Sequence, residues 1–261
     1  MKCVLLSDMH DSSEWIEYIP LSDKFSYICL GDVCQSDPEV ARRNIDGLRK
    51  MKDTGQEFIL LYGNHDPHNQ AIERWGYWAE NSDDPKLNKV FATFFDEGRD
   101  LRDQLENTQY MDFLEEHWQK NAMFESDNMV VQATHNRLPM DEETEDALRE
   151  QRGGSLRIIN ENGAKYQFEE MDPKADVLLL GHSHYPLIAG DHDDEIFVMP
   201  VFVESPLRSF SVGNFRFIIN PGSLCANREY GAYDLDGHRE INSRSYAVLD
   251  TEERKIEWEF F

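Results

Sequence analysis

Cysteine is scarce and scattered: four residues, Cys3, Cys29, Cys34 and Cys225, stand in a chain of 261. Neither C-x-x-C spacing nor the density of a disulfide scaffold is present, so a small cross-linked fold and a cysteine-ligated structural zinc site are both disfavoured. Reduced thiols in a cytoplasm are expected. Positive charge is short as well. Lys+Arg 26 against Asp+Glu 51 leaves a formal net charge of −25, a balance that repels nucleic-acid phosphates and anionic membrane surfaces. Duplex nucleic acid is therefore a disfavoured partner, while a small anionic substrate held by metal stays compatible. Long apolar runs are missing too: nothing approaches the roughly 18 consecutive apolar residues of a membrane span. The opening "MKCVLLSDMHDSSEW" turns polar after a few positions, so neither a span nor a secretory signal is expected. No internal repeat and no Pro/Gly/Ser linker marks a boundary.

What remains, with a hydrophobic fraction of 40%, is enough to bury a substantial core, and a single α/β domain over residues 1–261 is the natural reading. "CVLLS" (3–7), "YICL" (27–30) and "FILLY" (58–62) are short continuous apolar runs, and the helix-like "PEVARRNIDGLRKMK" separates the second from the third. That is the pattern of buried parallel strands with helical crossovers. Past each run stand polar, chemically capable residues: "SDMH", "GDVC" and "GNHD". Two further runs do the same, "MVVQAT" (129–134) ending at His135 and "ADVLLL" (175–180) ending at "GHSH". In open α/β sheets ligands bind beyond the carboxyl ends of the strands, so these segments converge on one crevice.

Other stretches carry less chemistry. Residues from about 69 to 127 read as a helical, cap-like insertion rich in aromatics, including Trp75, Trp78, Phe91, Phe94, Phe95, Tyr110, Phe113 and Trp118. Aromatic stripes at helical spacing are usually core, with a minority left to face the crevice. The turn-rich "QRGGS" and "NENGAK" within 139–172 read as surface excursions, and the acidic runs at 141–150 and 191–195 as solvated helix face and loop rather than cation sites. After 185, "EIFVMPVFVE", "RSFSVGNFRFIIN", "SYAVLD" and "KIEWEF" predict hairpins and a second sheet.

Collected, the strand-end groups are Asp8, His10, Asp32, Asn64, His65, His135, His182 and His184. Each alone reads as a turn, cap or hydrogen-bonded structural residue. Together they form a mixed nitrogen and oxygen donor set with almost no thiolate, which suits Mn²⁺, Fe and Zn²⁺. In "DMH" and "HSH" the i, i+2 pairs share one side of an extended segment.

The ordered series D-M-H (8–10), G-D (31–32), G-N-H-D (63–66), His135 and G-H-S-H (181–184) resembles the calcineurin-like metallophosphoesterase superfamily, and "INPGSL" (219–224) with "SYAVLD" resembles its compact bacterial and archaeal phosphodiesterase branch. The resemblance implies a four-layer α/β/β/α sandwich with a dinuclear site. Asp8, His10, Asp32 and His184 would surround one metal and Asp32, Asn64, His135 and His182 the other, with Asp32 bridging. His65 would act on the leaving group, steadied by Asp66, and metal-bound hydroxide would attack in line without a phospho-enzyme. The implied cofactors are two divalent ions, Mn²⁺ first, with Fe, Zn²⁺, Ni²⁺ or Mg²⁺ as alternatives.

His68, Asn136 and Arg228 stand as candidate substrate contacts, beside the plainer reading of His68 as a loop or helix-start residue; Gly222 serves the backbone turn. Departures from the family pattern also inform. The Ser/Thr protein phosphatase branch continues G-D-x-V-D-R-G and G-N-H-E, whereas this chain reads "GDVCQSD" and "GNHD", which disfavours a phosphoprotein substrate. His65 stands where the "NPGS" type often has cysteine, which points to retained acid catalysis. The expected activity is hydrolysis of a small phosphodiester or phosphomonoester, nucleotide-like esters included. The alternatives are a dinucleoside polyphosphate hydrolase, whose bases the insertion's aromatics would stack, and a catalytically silent scaffold of the same fold.

Overall fold

The computed structural model describes residues 1–136, 161–192, 195–203, 208–213, 215–225 and 244–261. Arg228 and the acidic run 141–150 lie outside the described residues, as does "QRGGS".

In chain order the strands are β1 (Lys2–Leu6), β2 (Phe25–Cys29), β3 (Phe58–Leu61), β4 (Trp118–Gln119), β5 (Asn121–Ser126), β6 (Met129–Thr134), β7 (Val177–Leu180), β8 (Leu187–His192), β9 (Glu195–Pro200), β10 (Ser209–Ser211), β11 (Arg216–Asn220), β12 (Ser245–Asp250) and β13 (Lys255–Phe260). The helices are α1 (Pro38–Lys52), α2 (Asn69–Asn81), α3 (Pro85–Leu105), α4 (Gln109–His117) and α5 (Glu161–Glu170).

Among the described residues the strands form two sheets, ordered β10-β13-β12-β1-β2-β3-β4 and β5-β6-β7-β11-β8-β9. β1, β2, β3 and β4 run parallel, and so do β6, β7 and β11. Strands buried on both faces need continuous apolar runs, and β1 and β7 supply them by sending alternate side chains to opposite faces. Cys3 and Leu5 join Val177, Leu179 and Ile219 in a cluster between the sheets. Val4 and Leu6 instead meet the helices outside the first sheet, while Leu178 and Leu180 meet α5 outside the second. Three such clusters define four layers, α/β/β/α, the sandwich that the family resemblance implies.

Local signals explain the outer helices. Asp37 caps α1 by accepting from Glu39 N and Val40 N, Pro38 opens it, and Arg49, Lys50 and Lys52 occupy its last turn. Ala41, Ile45, Leu48 and Met51 recur at helical spacing and face the first sheet. The end of α3 and the middle of α4 join the same layer through Leu101, Leu105, Phe113 and Leu114, whereas α2 and the start of α3 pack on each other through Trp75, Trp78, Phe91 and Phe94.

Three sequence expectations change in detail. The helical stretch ends at His117, and residues 118–126 form β4 and β5, because Trp118 completes the parallel ladder beside Leu60. "NENGAK" is no surface excursion: from Glu161 it belongs to α5, whose Gly163, Ala164, Gln167 and Phe168 are buried. There the small residues let the helix lie close to the sheet, so Asn and Gly, read as turn formers, sit in a packed helix. The late strands do not form one sheet either, since β8, β9 and β11 enter the second while β10, β12 and β13 extend the first. No helix among the described residues is long and apolar enough to cross a membrane.

Candidate metal centre

The parallel strands of both sheets end at the same edge, where β1 delivers Asp8 and His10, β2 Asp32, β3 Asn64 and His65, β6 His135, and β7 His182 and His184. The local backbone is unusual. Of the eight described non-glycine residues with positive φ, five are Asp8, His10, Asp32, His182 and His184, at φ 54°, 46°, 52°, 64° and 58°. Asp and His tolerate this region better than most residues, yet each such position costs on the order of 1–3 kcal/mol and persists only where surroundings fix it. These positions fall on alternate residues just past β1 and β7, and once past β2.

Two groups result. Asp8, His10 and His184 form one and Asp32, His135 and His182 the other, each with potential ligand atoms within 4.8 Å of one another. All but His182 and His184 are buried. His10 Nε2 lies 3.0 Å from His184 Nε2, 3.9 Å from Asp8 Oδ1 and 3.7 Å from Asp32 Oδ2. His135 Nε2 lies 3.1 Å from Asp32 Oδ2 and 3.1 Å from Asn64 Oδ1, which brings Asn64 into the second group.

Each carboxylate divides its oxygens. Asp8 Oδ2 accepts from the Ser7 hydroxyl and, at 3.0 Å, from His182 N, and Asp32 Oδ1 accepts from His65 N at 2.7 Å. The other two oxygens, Asp8 Oδ1 and Asp32 Oδ2, are buried and without a hydrogen-bond partner, an arrangement that costs several kcal/mol unless a cation compensates it. His135 donates from Nδ1 to Leu30 O at 2.6 Å, so its Nε2 lone pair faces two oxygens that also only accept. Such a convergence of acceptors fits divalent cations.

The protonation balance of these groups points the same way. Burial pushes the Asp8 carboxyl up, but His184 and His135 outweigh it and bring it down to about 2. Burial likewise opposes ionisation of Asp32, yet His135, then His65 and His10, hold it well below the usual carboxylate range. His10 is driven down to about 3 by burial. His135 goes the other way: burial lowers it, but Asp32 and Asp8 lift it to about 9. Without metal a proton on His135 neutralises Asp32, and a bound cation would take that proton's place.

Glycine is obligatory at two of the strand exits. A Cβ on Gly63 would stand 2.0 Å from Asp32 Oδ1 and 2.4 Å from Asp32 N; on Gly31, with φ +99°, it would stand 2.7 Å from Gly63 N and 2.8 Å from His135 Nδ1. We expect Gly63→Ala to displace Asp32 and to destabilise the chain by about 3 kcal/mol or more, read from its urea midpoint. A midpoint unchanged from wild type would show that the loop has room to move.

Other sequence candidates fare differently. His65 is half-buried beside His10, with ring centroids 5.1 Å apart. Asp66, expected to steady the His65 ring, spends its carboxylate elsewhere: Oδ2 accepts from Asp32 N at 3.0 Å and Gly63 N at 2.8 Å, and Oδ1 from Cys34 N at 3.0 Å. It clamps the β2 and β3 exit loops together, while burial, with the charge of Asp32, raises its carboxyl to about 7. His68 caps α2, its Nδ1 accepting from Gln70 N at 3.3 Å, and stacks flat on Tyr62. The helix-start reading of His68 is therefore the one the geometry shows. Asn136 is half-buried directly after His135. Gly222 has φ +89° in the turn after β11, as its turn role requires.

Several positioning groups escape a reading by motif. Ser223 Oγ donates to Asp8 O at 2.9 Å, and Asn220 Nδ2 donates to Gly181 O at 2.7 Å, so the "NPGS" turn braces the β1 and β7 exits. Asn44 of α1 donates to His10 O and Val33 O and accepts from Trp15 Nε1. The available signal was a lone amide on the buried face of an amphipathic helix, flanked by Ala41, Ile45 and Leu48.

A family profile described as calcineurin-like phosphoesterase matches residues 1–186. No curated protein matches the chain. Among solved structures, a metallophosphoesterase from Sphaerobacter thermophilus is similar at 14% identity and a TM-score of 0.60, covering 100% of this chain and 88% of that one. An archaeal phosphodiesterase gives 15% identity and a TM-score of 0.41, with 100% of each chain covered. Vps29 from Chaetomium thermophilum gives 12% and 0.40, with 100% and 97% covered.

Proposed function

Because the chain belongs to the calcineurin-like phosphoesterase family, we propose that it hydrolyses a small phosphodiester or phosphomonoester at a dinuclear metal site. The observation that carries this is the pair of interleaved groups at the strand ends, with Asp8 Oδ1 and Asp32 Oδ2 buried and lacking hydrogen-bond partners. Asp8, His10, Asp32 and His184 would hold one ion and Asp32, Asn64, His135 and His182 the other. Two bound cations would supply Lewis-acid stabilisation of the phosphoryl oxygens and an activated water for in-line attack.

The remaining chemistry belongs to the chain's own residues. Asp32 offers its Oδ2 toward both groups while Oδ1 holds the backbone of His65. Asn64 contributes a neutral oxygen, which keeps the excess negative charge of the site to two carboxylates and leaves room for an anionic substrate. His65, half-exposed beside His10, would hold the proton that passes to the leaving alkoxide. Mixed imidazole, carboxylate and amide donors favour Mn²⁺, with Fe, Zn²⁺, Ni²⁺ and Mg²⁺ as the competitors to test.

A panel of monoesters, diesters, cyclic nucleotides, dinucleotides and dinucleoside polyphosphates, run with Mn²⁺, Ni²⁺, Zn²⁺ and Mg²⁺, tests the proposal. Metal-dependent turnover of at least one ester class is expected. Protein that binds two ions and turns over none would instead be a metal-binding scaffold.

A further inference from the structure

The loop that carries Asn64 and His65 is held from two sides. From inside, Asp32 Oδ1 accepts from His65 N and Asp66 Oδ2 from Gly63 N. From outside, two side chains of the helical insertion donate to its carbonyls: Trp75 Nε1 of α2 to Asn64 O at 2.6 Å, and Arg102 Nη1 of α3 to Pro67 O at 3.0 Å. Arg102 is itself fixed by Glu115 of α4 at 2.7 Å. The indole of Trp75 also lies 5.6 Å from the His65 ring, and Phe94 of α3 meets that ring edge-on at 4.6 Å. Trp75 thus stands against both residues that the site takes from this loop, although it belongs to a different element and offers no side-chain atom to either metal group.

Building on the phosphoesterase reading, we infer that the insertion is a positioning device for the centre, with Trp75 as its principal positioning residue. The bond to Asn64 O fixes the peptide from which the Asn64 amide reaches Oδ1 toward His135 Nε2, and the indole face, with Phe94, fixes the plane of the His65 ring. The two actions are separable. A phenylalanine at 75 keeps a ring beside His65 and deletes the donor, whereas an alanine deletes both. Arg102 acts in the same direction on the far end of the loop, at Pro67 O.

Isothermal titration of the chelator-stripped full chain with Mn²⁺, paired with turnover of 2′,3′-cyclic AMP, a diester whose leaving group is an alkoxide, tests this. Two binding events are expected in the wild type. Trp75→Phe should weaken one of them by about tenfold and lower kcat by a similar factor with little change in KM, as loss of a partner that orients a ligand does. Trp75→Ala should lower kcat further at the same Mn²⁺ affinity, because His65 loses its wall. Trp78→Phe, which touches Trp75 and Phe91 but not the loop, should leave both readouts at wild-type values. Should Trp75→Phe fail to fold, Arg102→Ala decides, with one Mn²⁺ event weakened roughly threefold for the lost bond. Unchanged Mn²⁺ affinities and kcat in Trp75→Phe, with only a lower Tm, would make Trp75 an ordinary core residue and overturn the inference. So would an equal loss in Trp78→Phe, or a wild type that binds no Mn²⁺. Wild-type protein that binds two Mn²⁺ but hydrolyses nothing would sink the phosphoesterase reading and leave the positioning inference to the titration.

Discussion

Asp32→Ala should lose bound metal and phosphoester hydrolysis together. Asp32 Oδ2 lies within 3.1 Å of His135 Nε2 in one group and 3.7 Å of His10 Nε2 in the other, so this single oxygen faces both candidate ions. Its Oδ1 holds His65 N, so truncation also frees the backbone of the histidine assigned to the leaving group. The expected fall is roughly 10³–10⁵ in kcat/KM, the size of several kcal/mol of lost charge stabilisation. Elemental analysis after dialysis against Mn²⁺ should find the variant depleted while the wild type retains two ions. A variant hydrolysing at the wild-type rate under matched metal would end the dinuclear mechanism.

His65→Ala should behave in the opposite way toward metal. The His65 ring lies beside His10 and against Phe94, outside both ligand groups, so the variant should keep both ions and lose roughly 10²–10⁴ in rate, the range for removing a general acid. The loss should depend on the leaving group. A p-nitrophenolate departs with little help from a proton, whereas an alkoxide does not, so an alkyl ester should suffer more than a nitrophenyl ester. Equal losses on the two ester types would mean that His65 stabilises phosphoryl charge rather than the leaving oxygen.

The candidate ligand residues were legible because strand periodicity and chemistry coincide: each apolar run is followed, directly or after one glycine, by an Asp, Asn or His. Folding onto a parallel sheet then brings residues as distant as Asp8 and His184 into one group. What the sequence concealed was relational. Asp66 sits next to His65 in the chain, yet its carboxylate turns toward the backbone of Asp32, Gly63 and Cys34, because three converging N–H groups hold a buried carboxylate better than one ring does. His68, read as a candidate substrate contact or a helix-start residue, caps α2. Trp75 reads as one of many insertion aromatics, and nothing in helical spacing marks which indole N–H reaches the loop. α5 was hidden for a simpler reason: Asn162 and Gly163 carry turn chemistry, and only packing on the second sheet makes a helix there the better state.

The pairing of β1 has a kinetic consequence. On one side β1 lies beside β2, a local partner, with Lys2 opposite Phe25. On the other it needs β12, with Lys2 opposite Asp250, and Thr251 N closes onto Met1 O at 2.9 Å. The strand that presents Asp8 therefore keeps an open edge during synthesis until residues near 250 have left the ribosome. Closing so long a loop is slow, and an uncovered strand edge in the meantime invites pairing with other chains. The centre should be among the last parts of the molecule to mature.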